Sequence, residues 1–275
     1  MTSADPHAVL GRTLLGLVAA ATVAAAAYRA DTLTIRGAAA ATVVGGAAVA
    51  GGWDWGALLI AFFIASAGLS RMGHARKQRL AEAVVAKGGP RDAVQVLANG
   101  GAFAFCAVAY ALERSPLWYA AGAGGLAAAT ADTWGTEVGM LSAATPRSIF
   151  TGRVVPAGTS GGITAAGTLA SIAGALFIAI GARALGWPAA AGWSALIGGF
   201  AGATSDSMIG ATLQSRRWCG TCQTATERAV HSCGTRTTAA GGLPWLGNDT
   251  VNLAATATGA LIGLATALAS GWVAV

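Results

Sequence analysis

About eight apolar stretches, each close to the length a helix needs to cross a bilayer, follow one another along this chain and leave little sequence for anything else. They cover approximately residues 13–27, 37–51, 56–70, 93–112, 117–133, 163–184, 189–213 and 248–272. Apolar residues make up 55% of the chain and charged ones only 10%, which is outside the range of soluble domains. Helices in lipid associate through van der Waals packing, so the 40 glycines favour close backbone approach and a tight bundle. The expected fold is all-α, a polytopic transmembrane bundle forming one integral membrane domain over residues 1–275. The tail holding Asp5 and Arg12 is not basic and further spans follow, so the first stretch reads as a span rather than a cleaved leader.

Charge orients the spans. Loops on the cytoplasmic side are enriched in Lys and Arg, and an outside N-terminus puts 14 of the 17 basic residues on one side. Only Arg12, Arg114 and Arg183 fall opposite. The expectation is therefore N-terminus out and C-terminus out, in a bacterial plasma membrane, with cytoplasmic loops at 71–92, 142–161 and 214–247. The net charge of +6 is spread over these loops, which argues for topology and against a nucleic-acid partner. Arg76 and Lys77, in the basic loop, fit the same topological role better than the alternative of attracting nucleotide. Trp53 and Trp55, flanking Asp54, read as interface anchors, and Glu113-Arg114-Ser115-Pro116 reads as a turn.

Between the fifth and sixth stretches lies an unusual concentration of polar groups: Asp132 and Glu137, then Arg147 and Arg153, then Gly158-Thr159-Ser160-Gly161-Gly162. Ionisable residues at membrane depth are costly and point to function. Carboxylates hold divalent cations, arginines neutralise phosphate, and a Gly/Thr/Ser turn aims backbone N–H groups at phosphate oxygens. On a continuous helix Asp132 and Glu137 point apart, whereas Thr133 shares a face with Glu137. Two carboxylates on one ion would thus require loosening around Gly135. The structural alternative pairs each carboxylate with a loop arginine. The glycine turn is expected to open a helix, with Thr159 or Ser160 as its cap and an anion at its N-terminus. It is not a nucleotide P-loop, because no lysine follows Lys87.

Asp206, Gly210 and Gln214 define one helix face and a second acidic pole, suited to a second metal or a ribose. Asn248, Asp249 and Asn252 cluster on the first turn of the last stretch, where a plain account is an Asn248 N-cap and a favourable Asp249 charge. The spacing Cys219-x2-Cys222-x8-His231-x-Cys233 suits a structural Cys3His zinc site, the alternative being reduced, metal-free cysteines. A disulfide does not belong on the reducing side. Cys106, in mid-span, reads as a small packing residue.

Asp132-Thr133-Trp134-Gly135-Thr136-Glu137, Pro146-Arg147, Thr151-Gly152-Arg153, Pro156, the glycine turn and Asn248-Asp249-x2-Asn252 resemble one integral membrane family, that of transmembrane protein 19 and phytyl-phosphate kinase. The likeness extends to Gln95-Val96-Leu97-Ala98-Asn99-Gly100 and the Asp206 helix, and covers most of the chain. More distantly, the order of acid, basic stretch and Gly-Thr turn is similar to membrane phytol and dolichol kinases. The resemblance implies phosphorylation of an isoprenyl monophosphate to the diphosphate, with CTP as donor. The expected site then has Asp132, Glu137, Arg147 and Arg153 in catalysis, and Mg²⁺ on Asp132, Glu137, Asp206 and Asp249. Nucleotide or phosphate would contact Asn99, Thr133, the 158–162 turn, Gln214, Asn248 and Asn252. The acceptor phosphate, with a second pKa of about 6, needs no general base. An ion-coupled transporter of a polar or anionic solute is the alternative. Against it, the polar residues gather at one face and no inverted repeat is visible; a lipid-binding or assembly protein would leave the motif unused.

Overall fold

The computed structural model describes residues 6–81 and 88–271; Asp5, Lys87 and Trp272 lie outside the described residues. The helices are α1 (Pro6–Arg29), α2 (Ile35–Gly51), α3 (Trp53–Arg71), α4 (His74–Ala81), α5 (Ala93–Glu113), α6 (Leu117–Leu141), α7 (Ala165–Ala184), α8 (Ala189–Thr212) and α9 (Asn248–Ala269). Eight are long, and each of the eight apolar stretches falls on one of them. Five, namely α1, α3, α5, α7 and α9, are long and apolar enough to cross a membrane. The short α2 and the polar-interrupted α6 and α8 do not meet that measure.

For α6 the reason lies in its position. Residues 120–131 of α6 form an unbroken buried run, and the helix packs against α3, α5, α7, α8 and α9. A helix surrounded by protein has no lipid to satisfy, so glycine and polar side chains are tolerated there. The crossing is close enough to exclude a methyl group: a Cβ on Gly124 of α6 would lie 2.2 Å from the Gly259 carbonyl oxygen of α9, and one on Gly198 of α8 2.4 Å from the same oxygen. At the opposite end from the polar motif, Trp55 is fully buried among Phe103, Tyr110, Tyr119 and Trp187, at centroid distances of 4.6–5.8 Å. Trp55 is therefore a core residue and not an interface anchor; Trp53, 54% exposed, keeps that possibility. Asp54 accepts a 2.6 Å hydrogen bond from Trp187 Nε1. The expected turn at 113–116 is present, with Arg114 at φ 56° and Glu113 bonded to Trp118 Nε1; Cys106 is a buried core residue.

The all-α expectation needs one amendment, since two loops carry small antiparallel sheets. Strands β1 (Arg147–Ser148) and β2 (Gly162–Ile163) close the 142–161 loop into a hairpin. Strands β3 (Arg216–Cys219), β4 (Thr224–Thr226) and β5 (Thr238–Gly241) form a sheet in the order β4-β3-β5. Three local expectations also change. Thr164, not Thr159 or Ser160, caps α7 by accepting from Gly167 N at 3.0 Å, because the glycine turn is followed by β2 before the helix begins. Gly247 occupies the cap position of α9, leaving Asn248 exposed in its first turn. Finally, α6 runs unbroken through Gly135, so Asp132 and Glu137 face different neighbours.

Candidate functional site

One end of the bundle gathers the polar motif, and α6 divides it into two centres. The first lies toward α8. Asp206 is within electrostatic range of Asp132 and of Glu227, and its Oδ2 is buried with no hydrogen-bond partner among the described residues. The glycine turn is seated on the same helix. Gly161 adopts φ +76°, and a Cβ there would lie 2.3 Å from Ala211 Cβ and 2.7 Å from the Ser207 carbonyl oxygen. Both a left-handed backbone and the absence of a side chain are required at that position. Ser160 Oγ, next in the turn, donates to Glu227 Oε1 at 2.5 Å. Within the turn the Thr159 and Gly162 N–H groups are used internally, on the Pro156 and Thr159 carbonyls. The buried Gln214 lies under Gly210, whose own Cβ would meet Ser160 and Gln214 Oε1.

The second centre lies toward α3 and α4 and is electrically closed. Lys77 Nζ donates to Glu137 Oε2 at 2.5 Å and to the Leu69 carbonyl at 2.8 Å, while Ser70 Oγ donates to Glu137 Oε1 at 2.5 Å. Lys77 is almost fully buried, and α4 is held to the end of α6 by this pair and by Arg76, which donates to the Ser142 carbonyl. Arg91 also feels Glu137: burial lowers its pKa and the carboxylate opposes that shift.

Arg91 leads into a cavity of about 290 Å³ bounded by α1, α2, α3 and α5. Its wall is apolar except at one end, where Arg91, Gln95 and Asn99 sit. On α1 the lining runs from Gly16 to Ala27, which at a rise of about 1.5 Å per residue is a channel roughly 16 Å long. In the β3–β5 lobe, the ligand atoms of Cys219, Cys222, His231 and Cys233 all lie within 4.8 Å of one another. Hydrogen bonding with Thr235 and His231 pulls the Cys233 thiol down to about 5, and hydrogen bonding with Cys233 pushes Cys222 up to about 11.

Residues 18–260 match the integral membrane protein family DUF92. The chain belongs to this family. Protein PGR of Arabidopsis thaliana is 30% identical over 234 residues, covering 76% of this chain and 81% of the plant protein. The uncharacterized membrane protein MJ0933 of Methanocaldococcus jannaschii is 32% identical over 218 residues, 78% of this chain and 76% of that one. The uncharacterized membrane protein sll0875 of Synechocystis is 28% identical over 218 residues, 78% of this chain and 74% of that one. No solved structure matches. As in the rest of DUF92, the chain is an integral membrane protein and sits in a lipid bilayer.

Asp132, Asp206, Gln214 and the 158–162 turn come together. Glu137 leaves that group, since both its oxygens are taken by Lys77 and Ser70; its partner is a lysine, not a loop arginine. Arg147 and Arg153 are exposed on the hairpin, and Arg147 Nη1 donates to the Gly152 carbonyl at 2.8 Å. Thr133 is half-buried on α6. Asn99 belongs to the apolar cavity, its Nδ2 donating to the Gln95 carbonyl. Asp249 lines a smaller cleft of about 140 Å³ with Val94, Leu97 and Leu253, and is not among the described charges acting on Asp206. Asn252 is half-buried one turn further along α9. Sequence reasoning missed Glu227, Arg91 and Ser70, and favoured a topological role for Lys77. A lysine in a short helix after a span carries no mark that distinguishes a buried partner from a surface charge.

Proposed function

We propose that this DUF92 protein is a membrane phosphotransferase that moves a phosphoryl group from a nucleotide, CTP by resemblance, to an isoprenyl monophosphate. The observation that carries the reading is the meeting of Asp132 on α6 with Asp206 on α8 beside a glycine turn seated on α8. Two like charges at membrane depth, one with an oxygen unpartnered among the described residues, suit a divalent cation. Asp132 and Asp206 would hold Mg²⁺, which when bound neutralises donor phosphates and polarises the transferring group. The remaining N–H groups of the 158–162 turn and the Ser160 hydroxyl would orient phosphate oxygens. Arg147 and Arg153, exposed on the hairpin, would attract and neutralise nucleotide as it arrives. The terminal phosphorus–oxygen bond of the donor breaks, the acceptor phosphate oxygen forms the new bond, and the nucleoside diphosphate leaves. Because the acceptor is already largely a dianion, no side chain need remove a proton.

The long apolar cavity supports a lipid acceptor. Its length and lining suit one isoprenoid chain, and Arg91, Gln95 and Asn99 at the polar end suit an anionic head. Arg91 lies in the field of Glu137, which ties this end to the end of α6 that carries Asp132. With 14 of the 17 basic residues on the same side, the site would face the cytoplasm of a bacterial cell with both termini outside. The test is direct. Protein purified in detergent and given CTP, Mg²⁺ and short prenyl monophosphates should yield prenyl diphosphate and CDP. If no nucleotide is consumed over a panel of prenyl phosphates and prenols, while proteoliposomes take up a solute, the protein is a transporter.

A further inference from the structure

We infer that Cys219, Cys222, His231 and Cys233 bind one structural zinc ion, and that this ion holds Glu227 against the glycine turn. The inference does not depend on phosphoryl transfer. Two tight turns of the β3–β5 lobe carry the four ligands. The first joins β3 to β4 and supplies Cys219 and Cys222, with Gln223 at φ 52°; the second is closed by Gly234 N bonding to the His231 carbonyl and supplies His231 and Cys233. Cys219 Sγ and Cys233 Sγ are 3.6 Å apart, and His231 Nδ1 is 3.3 Å from Cys233 Sγ. Tetrahedral zinc with sulfur at about 2.3 Å places its ligand atoms roughly 3.5–3.8 Å from one another, so these separations fit a shared ion. The cysteines are not joined as disulfides, and the second ring nitrogen of the buried His231 has no hydrogen-bond partner among the described residues.

The lobe also needs such a staple. Apart from Cys219, its buried side chains are Thr226, His231 and Thr237, all polar, while Trp218 and Val230 are exposed. A sheet of three short strands with no apolar core does not hold itself together, and small units of this kind rely on metals or disulfides. What the lobe positions is specific. Glu227 follows the last residue of β4, four positions before His231, and receives the Ser160 hydroxyl of the 158–162 turn at 2.5 Å. Fixing both turns fixes the segment between them, and with it the carboxylate that faces Asp206.

The experiment uses full-length protein purified in detergent under reducing conditions without chelator. Elemental analysis should give one zinc per chain, and cobalt exchange should give the thiolate charge-transfer band and visible spectrum of a tetrahedral sulfur site. Cys222→Ser, at an exposed position, should lower retained zinc by roughly tenfold or more, whereas Cys106→Ala should leave it unchanged. If Cys222→Ser fails to fold, chelator treatment of the wild-type protein serves instead. Zinc removal should speed amide exchange in both 216–241 and 156–162, with α6 and α8 still protected. Absence of zinc and of any cobalt spectrum, with the three loop thiols freely alkylated in folded protein, overturns the site. Zinc loss that loosens 216–241 but leaves 156–162 unchanged overturns the link through Glu227.

Discussion

Asp132 and Glu137 stand five residues apart on one unbroken helix, yet they occupy opposite electrostatic situations. Glu137 has each oxygen engaged, one by Lys77 and one by Ser70, in a pair that binds α4 to the bundle. Asp132 instead faces a second acid, Asp206, whose Oδ2 is buried without a partner among the described residues. A carboxylate that already has its cation is a fastener; two acids that meet with no cation beside them among the described residues are what the proposed cation site rests on. Spacing on the helix produces the difference, because five positions turn a side chain most of the way to the other face.

The largest effect should come from the Asp132 side. Asp132→Asn should lower kcat and kcat/KM together by roughly 10²-fold or more while the protein stays folded and inserted, because it removes transition-state charge stabilisation and also a costly buried charge. Steady-state kinetics with a thermal melt in detergent would separate the two. Asp206→Asn should raise the apparent KM for Mg²⁺ or nucleotide, with a smaller fall in kcat. Near-normal turnover in both variants would end the assignment.

On the other side the expected loss is one of stability. Glu137→Gln strands the buried Lys77 ammonium, at a cost of about 3–5 kcal/mol, and should lower the melting temperature with little change in turnover per folded molecule. Pairing it with Lys77→Met should recover much of that loss, a non-additivity that a double-mutant cycle would measure. If Glu137→Gln abolishes turnover at full stability, the division of labour along α6 is wrong.

Smaller effects test the cavity and the hairpin. Ala41→Phe, on the cavity wall, should raise KM for a twenty-carbon prenyl phosphate by about tenfold and leave the shortest acceptor nearly unaffected. Equal effects on both would place the chain elsewhere. Arg153→Ala, at an exposed position, should change nucleotide KM only by a few-fold, and less at high salt. A large, salt-independent loss would put Arg153 inside the site.

Apolar stretches made the helices legible, and the costly acids made the motif legible, because both signals are local. What the sequence hid depends on packing. Trp55 looks like Trp53 until the bundle closes around it, and Glu227 looks like any loop acid until the β3–β5 lobe brings it to Ser160. The glycine turn resembled a helix start, but Thr164 is the better cap and the two-residue β2 claims the backbone between them. The close contact of Gly161 with α8 explains why that position is glycine, and no local pattern reveals it.

The central claim is that Asp132 holds a divalent cation with Asp206 while Glu137 does not. Manganese binding, followed by paramagnetic resonance on purified wild type, Asp132→Asn and Glu137→Gln, tests it most directly. The account predicts bound manganese in the wild type and in Glu137→Gln, and its loss in Asp132→Asn. Retention in Asp132→Asn with loss in Glu137→Gln would contradict it.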